Sequence, residues 1–407
     1  MKVIGQIKPI LLYFLISLST LTETIYSAAL PEIAEALKTE GGVAQLSTTA
    51  YYIGFAFGIF TLGRVSDIYG RRPVVLFGIS FYIISTFLIS LSTNIEFFIM
   101  MRVFQAYGAS VGSVIAQSMA RDSYKGWELS YIYASVSMIM SIVPSIGSAI
   151  GGYIVEYYGH WKYVFRFLML FSAALLLVYI KFLPETNPNI GAGRNNRFYY
   201  VLKTALKDKV LLSFAFMVGA YNGVCFGFYI QAPFIFINKL GMAPSDYGKL
   251  FLILSVANLL GGLICRYLIK KFVNIYKIKA IGLIFSSIGC IGLLIGAYLI
   301  KPGVSLTFAT LMVFIPMAIH LMGHTLVVPM LLRNALEGYV KVTGAAGSIF
   351  GALYYVITAA VSFLISSFHS DTINNYAYIY AILLLICIVL YYFISKWKEN
   401  EFKTSFR

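Results

Sequence analysis

Twelve runs of about twenty mostly apolar residues, each long enough to cross a bilayer as a helix, divide this 407-residue chain. The first six fall at about 9–30, 44–63, 73–91, 97–120, 130–154 and 163–183. The second six fall at about 211–235, 247–269, 278–300, 304–331, 342–366 and 373–395. In hydrocarbon every backbone N–H and C=O must find its partner within the protein, so runs of this length fold as helices. The connections are short except for one polar stretch rich in Pro, Gly, Asn and basic residues. The expected organisation is an all-α membrane protein with twelve transmembrane helices in two six-helix bundles. Residues 1–183 form the first bundle, 184–209 a linker, and 210–407 the second bundle with a short tail.

The charge supply agrees. Only 12% of residues are Asp, Glu, Lys or Arg, about half of what a soluble domain carries. That excludes a soluble enzyme, a disordered chain and a disulfide-stapled secreted domain. The net charge of +15 follows from orientation. With the N-terminus inside, twenty-four of the 31 Lys and Arg residues lie on the inner side. Six lie outside (Lys38, Lys162, Arg166, Lys239, Lys249, Lys301), and Arg102 lies within a run. This bias predicts a multi-pass protein with both termini cytoplasmic, and it leaves no need for a nucleic-acid partner. Lys2 and Lys8, an apolar run and Ser27-Ala28-Ala29 loosely match a cleaved signal peptide. Glu23 interrupts that run, and cleavage would leave an odd number of spans. Cys225, Cys265, Cys290 and Cys387 are scattered without paired spacing, so no metal, cofactor or disulfide framework is expected. There is no GxxxxGK[ST] string, so ATP drive is not encoded here. Gly108-Ala-Ser110-Val-Gly112 fits the hydrolase GxSxG pattern, but it lies inside a span and lacks partners.

The halves echo each other weakly. Tyr26 precedes Pro31 near the end of the first run, and Tyr229 precedes Pro233 near the end of the seventh. Such symmetry is what two parallel repeats leave behind. Ionisable residues within spans are functional candidates, because each costs about 2.5–3.5 kcal/mol at the bilayer centre. Glu23 and Arg102 stand at similar depths, about 10 Å and 8 Å from the outer end by helical rise. They are candidates for proton coupling, interacting directly or through water. The alternatives are a structural anchor for Arg102 and outward snorkelling for Glu23. His320 and His324 share one helix face; they suit either a proton relay or a polar cavity lining. Tyr26, Gln105, Asn222, Tyr229, Gln231 and His320 combine apolar surface with hydrogen-bonding tips and are candidates for a ligand cavity.

The sharpest string is Gly63-Arg-Val-Ser-Asp67-Ile-Tyr-Gly70-Arg71-Arg72-Pro73, which reads as a tight inner turn between the second and third runs. It resembles the signature loop of the major facilitator superfamily. Further strings resemble the bicyclomycin-resistance group of drug:proton antiporters. They are Ala29-Leu30-Pro31, Tyr52-Ile-Gly54-Phe-Ala-Phe-Gly58, Arg102-Val-Phe-Gln105, Arg121-Asp122, Trp161-Lys-Tyr-Val-Phe165 and Pro184-Glu185-Thr186. The second half matches less well, best at Tyr229-Ile-Gln-Ala-Pro233 and Gly344-Ala-Ala-Gly347-Ser348.

The resemblance implies a monomer that exports small amphipathic compounds in exchange for protons by alternating access. Three departures stand out. Thr24 occupies the place of the usual Asp, with the acid one position earlier at Glu23. Ala106 replaces the glycine that follows Gln105, and Ser148 replaces the proline that precedes the last two glycines of the fifth run. Pro144, Gly147, Gly151 and Gly152 remain as a candidate hinge. Gly63, Asp67, Gly70, Arg71, Arg72 and Arg121 form a candidate cytoplasmic gate. In it, Asp67 is expected to rest on the start of the eleventh span near Thr343-Gly344 and to pair with Arg121. A proton-driven importer of a small metabolite is the alternative within the same fold.

Overall fold

The computed structural model describes residues 5–188, 190–191, 197–271, 273–301 and 303–405. Among them, twelve helices are long and apolar enough to cross a membrane. They are α1 (Pro9–Ala36), α2 (Gly41–Tyr69), α3 (Arg71–Ser90), α4 (Ile95–Ser123), α5 (Gly126–Tyr158) and α6 (Lys162–Phe182). The second set is α7 (Lys209–Lys239), α8 (Pro244–Lys270), α9 (Ile275–Leu299), α10 (Leu306–Tyr339), α11 (Gly344–Ser367) and α12 (Asn374–Ile394). Arg194, one of the basic residues of the linker, lies outside the described residues.

Several helices outrun the apolar stretches that announce them. The expected turn starting at Gly63 is instead the last two turns of α2, which continues to Tyr69. The chain breaks only at Gly70, whose φ of 103° and ψ of 158° lie in a region open essentially to glycine. Hydropathy registers only the length in lipid, whereas Gly63 and Ser66 stay buried against protein beyond it.

The paired prolines mark matching irregularities. Before Pro31, α1 loosens into a 3-10 turn at Ser27–Ala29 and restarts as Leu30–Ala36. After Pro233, α7 ends as a π-helical turn at Phe234–Lys239. Proline lacks the N–H that continues the ladder, so the hydrogen-bond pattern changes there. In contrast, α5 runs through Pro144, and α10 through Pro316 and Pro329, without ending.

The two sets of six meet along α2 with α11 and along α5 with α8. A short helix, Arg197–Ala205, lies against α11 at the end that carries both termini, here called the terminal end. Its Phe198 packs edge-on against Phe60, 5.5 Å between centroids, beneath Arg64. Asp208 then caps α7, accepting from Val210 N at 2.9 Å and Leu211 N at 3.1 Å.

Candidate functional site

Glu23 is 6% exposed and points into the seam between the two halves. Its carboxyl faces the Tyr355 hydroxyl of α11 and stands within electrostatic reach of Arg102. Tyr51, Tyr52, Tyr354 and Cys225 surround the same carboxyl. Snorkelling toward the headgroups is therefore excluded. Arg102 is fully buried. Its guanidinium carbon lies 4.0 Å from the Tyr26 ring centroid and 4.5 Å from that of Tyr51. Arg102 Nη1 donates to Gln105 Oε1 at 2.5 Å, and Gln105 Nε2 donates to Thr86 Oγ1 at 2.9 Å. Arg102 Nε and Nη2 have no partner, and the two charges form no direct ion pair among the described residues. Arg102 is thus a cation stacked between rings, within electrostatic reach of Glu23 and not directly paired with it.

The departures at Thr24 and Ser148 have a local cause. Thr24 Oγ1 donates to the Pro144 carbonyl at 2.8 Å, and Ser148 Oγ meets Ser27 Oγ at 3.2 Å. Both side chains fasten α1 to α5. The glycines beside them set the spacing. A Cβ on Gly147 would come within 2.6 Å of Thr24 Oγ1, and one on Gly151 within 1.7 Å of the Ile25 carbonyl. One on Gly152 would meet the Pro244 carbonyl of α8 at 2.1 Å. The candidate hinge is therefore a point of closest approach for α1, α5 and α8.

The candidate gate is built differently from expectation. Arg71 Nη1 binds Asp67 Oδ1 at 2.5 Å and Ser66 Oγ at 2.6 Å, and its Nε donates to Asp122 Oδ2 at 3.1 Å. Arg121 donates instead to Ser118 Oγ at 3.2 Å. Among the described residues, Asp67 is held within its own half by Arg71, four residues on, and does not pair with Arg121; the side chain of Thr343, at the expected contact, lies outside the described residues. The acid at a helix start is Glu185. Its carboxylate accepts from Arg71 N at 2.9 Å, Arg72 N at 3.1 Å and Asn187 N at 2.9 Å. The amides of Arg71 and Arg72 begin α3 and carry its positive end. Arg72 Nη2 reaches the Ile180 carbonyl at 2.7 Å. Gly70 is required twice, by its φ and because a Cβ would stand 2.5 Å from Glu185 Oε2. Glu185, Asn187, Asp122 and Ser66 were not singled out for this role from sequence. The available signal was Pro184-Glu185-Thr186, a lone acid opening a basic linker.

A cavity of about 390 Å³ opens between the halves at the terminal end. Gly63, Asp67 and Arg121 line one side, and Leu332, Gly344 and Ser348 the other. It reaches Tyr354, where an aromatic layer begins. Tyr354 lies 4.7 Å from Tyr355, Tyr355 4.6 Å from Phe55, and Tyr52 5.6 Å from Phe226. This layer stands between the cavity and Glu23.

At the far end the halves are closed. Gln45 Nε2 of α2 donates to the Ile230 carbonyl and to Gln231 Oε1 of α7, both at 3.0 Å, and Thr49 Oγ1 donates to Ser362 Oγ of α11 at 3.2 Å. Along the other seam, Ser245 N donates to Glu156 Oε2 at 2.9 Å.

The six residues expected to share a ligand cavity are dispersed, and none of them lines the 390 Å³ cavity. Tyr26 and Gln105 hold Arg102, and the Tyr26 hydroxyl also bonds Thr48. Tyr229 packs on Phe251 at 4.3 Å, and Gln231 belongs to the far-end closure. Asn222 Oδ1 lies 3.1 Å from His324 Nε2. His320, 1% exposed, is 2.7 Å from the Tyr380 hydroxyl inside the second half.

A protein with these features can expose one end of a central polar site while sealing the other. The sequence profile of the Major Facilitator Superfamily matches residues 12–362. The chain belongs to this superfamily. It is a multi-pass membrane transporter, with twelve spanning helices among the described residues. An uncharacterized transporter of Rickettsia bellii is 51% identical over 396 residues, covering 97% of this chain and 98% of that one. A bicyclomycin resistance protein homolog of Haemophilus influenzae is 24% identical over 384 residues, covering 91% and 92%. The inward-open xylose transporter of E. coli superposes with a TM-score of 0.73 at 13% identity, covering 94% of this chain and 95% of that one. The last shows the shared fold.

Proposed function

We propose that this transporter exports small amphipathic compounds, such as bicyclomycin-type antibiotics, in exchange for protons. The observation that carries the reading is the buried Glu23 carboxyl, set in the seam so that it faces Arg102 of its own half and Tyr355 of the other. A carboxylate in a dry site is costly, and protonation removes that cost. Rocking the halves changes its distance from Tyr355 and its access to water. Proton binding at Glu23 is thereby coupled to which end is open. Arg102 supplies a fixed positive charge that favours release. The distribution of basic residues supports placing both termini in the cytoplasm of a bacterium. The cavity at the terminal end is then the entry for cytoplasmic drug. The name of the Haemophilus relative supports drug as the cargo, and residues 184–209 serve as the linker between the rocking halves.

The test uses inverted vesicles with an imposed pH gradient and a panel of amphipathic antibiotics and dyes. Compound-evoked proton release in wild type, absent in Glu23→Gln, is the expected result. Release that survives the substitution moves the proton site away from Glu23. Failure of every compound to evoke release, with protein present in the membrane, favours the importer.

A further inference from the structure

We infer that Gln45, Gln231 and His369 form a pH-sensitive latch that holds the far end shut while His369 is neutral and releases it when His369 gains a proton. The geometry fixes the two glutamine amides. Gln231 Nε2 donates to the Ser370 carbonyl at 2.6 Å, which turns its Oε1 toward Gln45. Gln45 is fully buried. Its Nε2 faces three acceptors at 3.0 Å each: the Ile230 carbonyl, Gln231 Oε1 and His369 Nδ1. Gln45 Nε2 carries two hydrogens for these three neighbours, and a bare Nδ1 on a neutral ring is the state that sets no N–H against it. The ring is wedged edge-on against Phe234, 4.8 Å between centroids, with Nε2 close over Gly41. The latch thus joins α2 of the first half to α7 and the α11–α12 turn of the second.

A proton on Nδ1 sets one N–H against another at Gln45. It has one other acceptor, Gln231 Oε1 at 3.3 Å, which already receives Gln45. Turning the Gln45 amide over does not help, because the Ile230 carbonyl would then face an oxygen. The charged ring thus loses its 3.0 Å contact to Gln45 and keeps only the longer one to Gln231 Oε1.

Charged groups surround it from each neighbouring element. Asp371 shares its turn, Glu40 precedes α2, and Glu32 and Glu35 of α1 border the same outer vestibule. Lys239 of α7 donates to the Asp371 carbonyl at 3.0 Å. Asp371 and Glu40 favour the charged ring, but burial outweighs them and holds His369 below its ordinary value of 6.5. The latched state therefore binds the proton less readily than an open, hydrated one. Its contribution is complete above about pH 6.5 and declines as pH falls below that value. This goes beyond the proposed function and does not depend on the cargo. If the far end faces outward, external acid favours the state that takes up protons.

Hydrogen exchange of the full-length protein in nanodiscs tests it. Rates in peptides covering 37–49 and 228–240, corrected for intrinsic exchange, are compared at pH 7.5 and pH 5. Wild type should open about fivefold more at the lower pH, the equilibrium equivalent of one lost hydrogen bond. His369→Gln keeps an uncharged acceptor and should lose the pH response. His369→Ala should exchange fast at both values. An equal pH response in wild type and His369→Gln, or none in wild type, overturns the latch.

Discussion

The guanidinium carbon of Arg102 lies 4.0 Å from the ring centroid of Tyr26, so a buried charge in α4 is held by a ring face in α1. A desolvated contact of this kind contributes about 2 kcal/mol. Lysine keeps the charge but loses the planar stack and the fork that reaches Gln105. Arg102→Lys should lower transport by up to about thirtyfold, as that energy implies. Its thermal unfolding midpoint should stay closer to wild type than that of Arg102→Ala. Vesicle uptake and unfolding in detergent check the pair.

Glu185 caps α3, so its loss should appear as instability. Glu185→Ala leaves three amides without their acceptor and should cost about 1–2 kcal/mol, with Glu185→Gln losing about half. Gly70→Ala combines a forbidden backbone region with the 2.5 Å approach to Glu185 and should cost about 1–3 kcal/mol. Equilibrium unfolding in mild detergent reads all three. A stable Gly70→Ala would mean that the turn can rearrange.

Asp67 is 46% exposed at its side chain, and Arg71 keeps Ser66 and Asp122 without it. Asp67→Asn should therefore change stability by less than about 1 kcal/mol. If Asp67 ties the halves together only when the terminal end closes, transport should fall even so. Unchanged transport in Asp67→Asn would remove it from the gate.

The paired glycines of α5 should separate packing from gating. Gly151 faces α1 of its own half, so Gly151→Ala should lower the unfolding midpoint, at a cost of about 1–3 kcal/mol. Gly152 faces the Pro244 carbonyl across the seam. Gly152→Ala should wedge α5 from α8 and raise far-end accessibility with a smaller loss of stability. Unfolding and site-specific labelling at the far end distinguish the two outcomes.

The spans were legible because the backbone has no alternative in lipid, and the ends least so because helices continue past the apolar stretch. That is why Gly63 to Tyr69 read as a turn and proved helical. The proximity of Glu23 to Arg102 could be anticipated from matching depth, which helical rise fixes, together with the superfamily resemblance that sets the two helices side by side. Rotation about the helix axis could not. Thr24, not Glu23, faces α5, and only packing shows it. The Glu185 cap joins residues more than a hundred positions apart. The latch joins Gln45 to His369, which lies in a turn with no motif of its own. Such long-range polar pairings leave no periodicity in a single sequence.

Gln45 and Asp67 sit on the same unbroken helix, Gly41–Tyr69, about 33 Å apart by helical rise. A rod of that length swings as one piece. If the halves rock as proposed, drawing its upper end toward Gln231 carries its lower end away from α11, and the reverse stroke does the opposite. Mutual exclusion of the two openings then needs no chain of messenger side chains between them. It is a property of leverage, and a break near the middle of the rod, such as a proline at Phe57, would let both ends leak at once.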